Sequence, residues 1–215
     1  LPISYADYLG YNLNSVELYR KVSIIEEQNP KEIWGVIFSD KLLDISSYEK
    51  SILGVAIDIG TTGISYYLLD LSSGEILKSL SSLNPQTEYG GDVITRISYC
   101  MENPLGAIKL QELIVDEINN TIKKLTNSIY KIDDIYHITI SANTTMSHLL
   151  LGVNPRSLAK APYRPMFLGL GDIKAKDISI KVNEEAVLSI IPSASAYVGG
   201  DIVSGIMASD FQNDR

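Results

Sequence analysis

Cys100 is the only cysteine in this chain of 215 residues. A single thiol excludes an internal disulfide and any iron–sulfur cluster or zinc site built from several cysteine ligands of the chain itself. It reads as a reduced, cytoplasmic thiol. The two histidines, His137 and His148, are too few to make a metal site alone. No run of about 18 apolar residues occurs, so no membrane-spanning helix is expected. No basic stretch leading into an apolar one marks a secretory signal. Basic residues are scarce as well: 18 Lys and Arg stand against 26 Asp and Glu, for a net charge of −8. Nucleic-acid surfaces need basic stripes to meet phosphate backbones, so nucleic acid is not an expected partner. The chain opens on Leu1 rather than Met, which reads as the loss of something upstream.

What is present is an ordinary core-forming composition, with 45% hydrophobic and 20% charged residues. The first 50 or so residues stand apart. They carry Tyr5, Tyr8, Tyr11, Tyr19, Trp34 and Tyr48 and little glycine, and these aromatics are expected in a core. Ser15 caps a helix to Gln28 in which Val16, Tyr19, Val22, Ile25 and Ile24 recur at helical spacing, and Asn29-Pro30 ends it. Glu32 to Ser39 follows as a short strand. This is a small α+β module over residues 1–51.

From residue 52 the pattern changes to strand, turn, strand. Leu53 to Ile59 is an apolar strand, Gly60-Thr61-Thr62-Gly63 a turn, Ile64 to Leu71 a second strand and Glu75 to Ser82 a third. Asp92 caps a helix running to about Cys100. Leu105 to Tyr130 is a long helix whose Leu110, Ile114, Ile118, Ile122, Leu125 and Ile129 form one apolar stripe. A fourth strand, Ile135 to Ser141, leads into a short helix, Thr144 to Leu151. An irregular stretch, a fifth strand from Val187 to Ile191, and a helix from Tyr197 to Phe211 complete the chain. Strands joined by short turns are antiparallel and strands joined through helices are parallel, by right-handed crossover. Residues 52–215 therefore form an α/β unit with a mixed five-stranded sheet, ribonuclease H-like in order.

The chemistry-bearing segment is Asp58 to Gly63. A phosphate needs several backbone N–H groups converging on it, and glycine lets the chain turn with positive φ and approach closely. Thr61 and Thr62 add hydroxyls. Asp58, at the end of a buried strand, needs a partner, and a magnesium ion reached through water supplies one. No Gly-Lys-Ser/Thr follows, so this is not a Walker loop. A metal-dependent nuclease of the same fold would need further carboxylates beside Asp58, but the fourth strand ends Ser141-Ala142-Asn143.

Other positions carry two readings each. Asp201 at the start of the last helix either orients a water or favours the helix dipole. Asn143 and Thr144 line a site at the carboxyl end of a strand, cap the next helix, or both. Gly90-Gly91 gives the loop from Asn84 to Arg96 mobility, and Arg96 meets a phosphate or a partner's carboxylate, or the loop is simply solvated. Arg156, Lys160, Arg164 and Lys174 form either a docking surface or a solvated loop. His148 lies inside its helix, in a packing or hydrogen-bonding role.

Five collinear motifs carry a resemblance. They are Gly54 to Gly63 (GVAIDIGTTG), Asn84 to Ile97 (NPQ, then YGGDVITRI), Ala142 to His148 (ANTTMSH), Ala161 to Pro165 (APYRP) and Val198 to Val203 (VGGDIV). With them the chain resembles the superfamily of actin, sugar kinases and heat-shock chaperone ATPases, and within it the reductive activators of corrinoid proteins. The resemblance implies that residues 52–215 are the first lobe of an actin-like ATPase domain and that residues 1–51 are a middle or linker module. It implies binding of ATP and magnesium through Asp58, Gly60, Thr61, Thr62 and Gly63, with Asn143 and Thr144 lining the site and Asp201 as the catalytic acid. It implies a corrinoid protein as partner, restored to Co(I) for methyl transfer, and a homodimer. The family's iron–sulfur cluster would lie in an N-terminal domain missing from this chain, and its second phosphate hairpin beyond Arg215, so the chain reads as a fragment with little activity of its own. A docking or dimerisation module without turnover is the alternative.

Overall fold

The computed structural model describes Gly10, Leu13 and residues 15–209. Tyr5, Tyr8, Tyr11 and the end of the last predicted helix lie outside the described residues. The chain divides into two compact units, Leu1–Ile52 and Leu53–Arg215.

In the smaller unit, helix α1 (Val16–Gln28) begins where the Ser15 hydroxyl accepts the Leu18 N–H, and stops at Asn29 in the left-handed region. Strands β1 (Trp34–Phe38) and β2 (Lys41–Ser46) form an antiparallel hairpin. The sequence reading missed β2. It also misplaced the apolar face of α1: Leu18, Val22 and Ile25 are buried, whereas Val16 and Tyr19 are exposed. Trp34 and Tyr48 are exposed as well. Among the described residues the core is aliphatic, made by Leu13, Leu18, Val22, Ile25, Leu42 and Ile45. One acid is buried in it: Asp44 accepts from Lys21 Nζ at 2.8 Å and Lys50 Nζ at 2.6 Å.

The larger unit is built on a sheet of order β5-β4-β3-β6-β8-β7. The strands are β3 (Leu53–Ile59), β4 (Gly63–Asp70), β5 (Ile76–Leu83), β6 (Ile135–Ala142), β7 (Ile173–Lys174) and β8 (Val187–Ile190). β3, β4 and β5 run antiparallel as neighbours; β6 is parallel to β3, and β8 to β6. The five expected strands take the ribonuclease H-like order. A sixth, the two-residue β7, pairs antiparallel with β8 inside the stretch expected to be irregular.

Strand parity fixes the core. Leu53, Val55, Ile57 and Ile59 alternate inward on β3, facing Leu68, Tyr66 and Ile64 across the β4 register. Helix α3 (Gly106–Thr126) lays Leu110, Ile114, Ile118, Ile122 and Leu125 into the same core. The helix ends earlier than the stripe suggested, because Asn127 turns left-handed, and Ile129 beyond it is exposed. Helix α2 (Val93–Glu102) opens on a capping box between Asp92 and Thr95. Helix α4 (Thr144–Leu150) follows β6 directly, and helix α5 (Gly200–Ala208) packs on β6. The opposite face turns polar at the end of β3, where Asp58 stands opposite Ser65 on β4 and Ser141 on β6. Among the described residues no helix is long and apolar enough to cross a membrane.

Candidate functional site

The turn Gly60 to Gly63 joins β3 to β4. It closes with the Gly60 N–H donating to the Gly63 carbonyl at 2.9 Å. A Cβ at Gly60 would sit 2.7 Å from that same carbonyl oxygen, so residue 60 must lack a side chain. None of the four turn residues has a positive φ. The expectation that glycine serves a left-handed conformation here is therefore wrong. Close approach of the two strands is the reason for Gly60, and Gly63 has no such constraint, its virtual Cβ meeting nothing nearer than 3.7 Å.

The turn's carbonyls are held from behind. Asn84, one residue after β5, donates its side-chain Nδ2 to Gly60 O at 2.9 Å and its backbone N–H to Thr62 O at 2.8 Å. Arg96 on α2 donates Nη2 to Thr61 O. A trans peptide points its N–H opposite to its C=O. Holding the carbonyls of Gly60 and Thr61 thus turns the N–H groups of Thr61 and Thr62 away from the protein, and neither donates a hydrogen bond within the described residues. The turn thus presents two adjacent amides without acceptors and two threonine hydroxyls.

Arg96 was expected to reach a phosphate or a partner's carboxylate, or to be solvated. Instead it is fully buried. Its Nε donates to Gly90 O at 2.8 Å, and its Nη1 to Gln86 Oε1 at 3.2 Å and towards Met146 Sδ at 3.1 Å. Gln86 Nε2 in turn donates to Leu110 O of α3 at 2.9 Å. Gly90 does not loosen the loop either. A Cβ there would meet Thr95 Oγ1 at 2.6 Å and Arg96 N at 2.8 Å, so the glycine lets the loop close on the first turn of α2. Asn84 and Gln86 are buried too. Asn84, Gln86 and Arg96 make a buried polar clamp within a loop whose Glu88, Gly91 and Asp92 stay exposed, which sequence reasoning missed; the hint was Arg96 beside Ile97 and Cys100 on the inner face of α2.

Asp58 is exposed, not buried. The expected need for a buried partner therefore falls away, and Asp58 makes no ion pair or side-chain hydrogen bond within the described residues. Its strand neighbours Ser65 and Ser141 are not acids, and no three His, Cys, Asp or Glu side chains cluster as metal ligands among the described residues.

Asn143 takes the expected capping role and also touches the turn. Its Oδ1 caps α4 by accepting the Met146 N–H at 2.9 Å, and its Nδ2 reaches Thr61 Oγ1 at 3.3 Å. Thr144 turns elsewhere, donating to Ser195 O at 2.8 Å. Asp201 is exposed in the first turn of α5, where its Oδ1 accepts the Ile202 N–H at 2.8 Å. Gly199 and Gly200 bring that helix end against β6 and β8: a Cβ at either would lie 2.4 Å from Asn143 Cα or Ile191 O, respectively. Ser204, one turn further on, shares a hydrogen bond of 3.1 Å with Ser141, the strand neighbour of Asp58. The structure thus joins Thr61 to Asn143 directly, and ties Ser141, the strand neighbour of Asp58, to Ser204 of α5.

His148 is buried, as its helical position implied. Its Nε2 accepts the Met166 N–H at 3.0 Å, which leaves the proton on Nδ1 to donate to Thr144 O at 2.7 Å, and its ring stacks on Phe167. Burial lowers its pKa below the usual histidine value, against the opposing effect of that backbone hydrogen bond. Of the four basic residues between Gly152 and Lys176, Arg156 and Lys160 share a cleft of about 410 Å³ with Cys100, Met101, Pro104 and Asn154. Lys174 is tied instead to Glu185 at 2.8 Å.

The model of the family described as RACo middle region matches residues 53–214. The chain belongs to that family. The match covers the larger unit, the one that carries the turn, the clamp and the Asp201 helix. The chain is also similar to the corrinoid activation enzyme RamQ of Eubacterium limosum, with 33% identity over 177 residues that make up 80% of this chain and 30% of that protein. Among solved structures it is similar to a reductive activator for corrinoid, iron-sulfur protein, with a TM-score of 0.80 and 33% identity over 94% of this chain and 34% of the other. The chain therefore spans about a third of the length of these relatives.

Proposed function

We propose that the unit from Leu53 onward is the nucleotide-binding lobe of a reductive activator that returns a corrinoid protein to Co(I). The observation that carries this reading is the turn itself: two outward amides at Thr61 and Thr62, two hydroxyls, and an exposed, unpaired Asp58 just before them. These groups fit a nucleotide phosphate. A single exposed carboxylate also fits magnesium, which keeps several waters and takes its other ligands from phosphate oxygens. Asp58 would hold the ion through water, the Thr61 and Thr62 amides would hold phosphate, and Asn143 would fix Thr61 from the side. Asp201 would orient a water, once its carboxylate is released from the Ile202 N–H. Bound nucleotide would supply the free energy that offsets an unfavourable reduction. The electron itself is not assigned to these residues, because Cys100 alone does not fit a cluster.

The partner is a corrinoid protein and the active form a homodimer, following the relatives' role and the family resemblance. The test is Asp58→Ala in the full-length protein. ATP-dependent reactivation of the corrinoid partner should be lost while the thermal midpoint holds, because an exposed, unpaired carboxylate contributes little to stability. Undiminished reactivation would sink the assignment. Calorimetry with ATP and magnesium separates the alternative: neither heat nor a thermal shift would make the lobe a docking module.

A further inference from the structure

Arg96 is a buried cation whose hydrogen-bond acceptors are all neutral: two carbonyls, an amide oxygen and a thioether. No carboxylate lies within ion-pairing distance of it among the described residues; Asp92 favours its charge only from further off. Burial works against the guanidinium, yet arginine stays charged in proteins. Replacing such a group by an apolar side chain of similar volume is often neutral or stabilising. Core packing alone therefore gives no reason to keep a positive charge here. Its position does. It lies directly behind the peptide whose N–H forms the outer face of the turn.

Resting on the phosphate reading above, we propose that Arg96 and Asn84 are the positioning residues of the phosphate turn. They fix the peptide planes of Gly60–Thr61 and Thr61–Thr62 with both N–H groups outward. Arg96 also backs those amides with a positive charge that a bound polyphosphate neutralises through the peptide. The clamp is anchored at both ends. Gln86 ties Arg96 to the Leu110 carbonyl of α3, and the Asn84 Oδ1 accepts the Gln86 N–H at 3.0 Å. The turn's orientation is thereby set before any ligand arrives, which removes the ordering cost from binding.

The experiment compares Mg–ATP, inorganic pyrophosphate and adenosine by calorimetry on the full-length protein and on two variants. Arg96→Lys keeps the charge but loses the planar fork that reaches four acceptors at once. Asn84→Asp replaces the donor to Gly60 O by a carboxylate oxygen that repels it. Each folded variant should bind Mg–ATP and pyrophosphate at least tenfold more weakly and adenosine as before. The extra thermal stabilisation that Mg–ATP gives over adenosine should vanish with it. A purely structural role would lower both affinities alike or neither, and either result overturns the proposal. In the unmutated protein, the Arg96 Nε–H resonance should shift on titration with pyrophosphate, and an unmoved signal overturns the proposal without any variant having to fold. If the unmutated protein binds none of the phosphate probes, the phosphate reading itself fails. If it binds them and both variants bind equally well, only the clamp fails.

Discussion

Replacing Gly60 by alanine places a methyl carbon 2.7 Å from the carbonyl oxygen of Gly63, an atom of the backbone that cannot rotate aside. The two strands must part by about 0.7 Å, the shortfall between 2.7 Å and ordinary contact at 3.4 Å. That movement stretches the 2.9 Å bond between Gly60 N and Gly63 O and pulls Gly60 O away from Asn84. Overpacking of this kind costs about 1–3 kcal/mol. For a unit of this size that is roughly 3–9 °C in the thermal midpoint. Gly63→Ala is the internal control, since its added methyl group meets nothing nearer than 3.7 Å and neither glycine has a positive φ to lose. Thermal melts of the two variants should therefore separate, with Gly63→Ala within about 2 °C of the parent. Calorimetry with Mg–ATP should show the same asymmetry, because only Gly60→Ala moves the Thr61 amide. Equal losses in both variants, or none in Gly60→Ala, would refute the close-approach argument.

In the smaller unit, Asp44→Asn removes the carboxylate shared by Lys21 and Lys50. The lysine side chains keep 33% and 20% of their exposure and can turn to water, so the loss should be about 2 kcal/mol, below that of a fully buried pair. Faster hydrogen exchange in β1 and β2 would report it, and unchanged protection would contradict it. His148 gives a pH dependence. Burial lowers its pKa in the fold, so the unfolded chain takes up the proton first as the pH falls. Its contribution to stability is therefore complete above the ordinary histidine value, about 6.5, and declines as the pH drops below it. A thermal midpoint flat from pH 7.5 to 5, or a decline unaltered in His148→Gln, would count against this.

Local signals made most of the larger unit legible. The apolar run from Leu53 to Ile59 marked a buried strand, helical spacing placed Leu110 through Leu125, and Asp92 and Asn143 announced their helices as caps. Each of those signals lies within a few residues of what it determines. The failures have the opposite character. Arg96 finds its acceptors 35 residues back at Thr61, 10 back at Gln86 and 50 ahead at Met146. A polar loop that faces water and one that folds inward to satisfy an arginine have the same composition. Asp58 was misread for a related reason. An apolar strand looked buried on both faces, but parity puts residue 58 on the polar face shared with Ser65 and Ser141. Of the aromatics assigned to the small unit's core, Tyr19, Trp34 and Tyr48 are exposed, and among the described residues aliphatic side chains fill that core.

The turn shows why the long-range part matters. Tight hairpins usually hold themselves with residues of positive φ, because those turns follow the right-handed twist of the strands. Here the central residues are two β-branched threonines, and no residue from Gly60 to Gly63 has a positive φ. Local turn chemistry therefore does little to hold this conformation, and the glycines only permit it. What imposes it is the pull of Asn84 on two carbonyls and of Arg96 on the third, relayed to α3 through Gln86, with Asn143 of the α4 cap bracing Thr61 from the other side. A turn held in this way cannot tilt without disturbing the elements that hold it. The direction of the Thr61 and Thr62 amides is accordingly a property of the packed lobe, and a substitution at Gln86, which makes no hydrogen bond to the turn, should act on phosphate binding through Arg96 and Asn84.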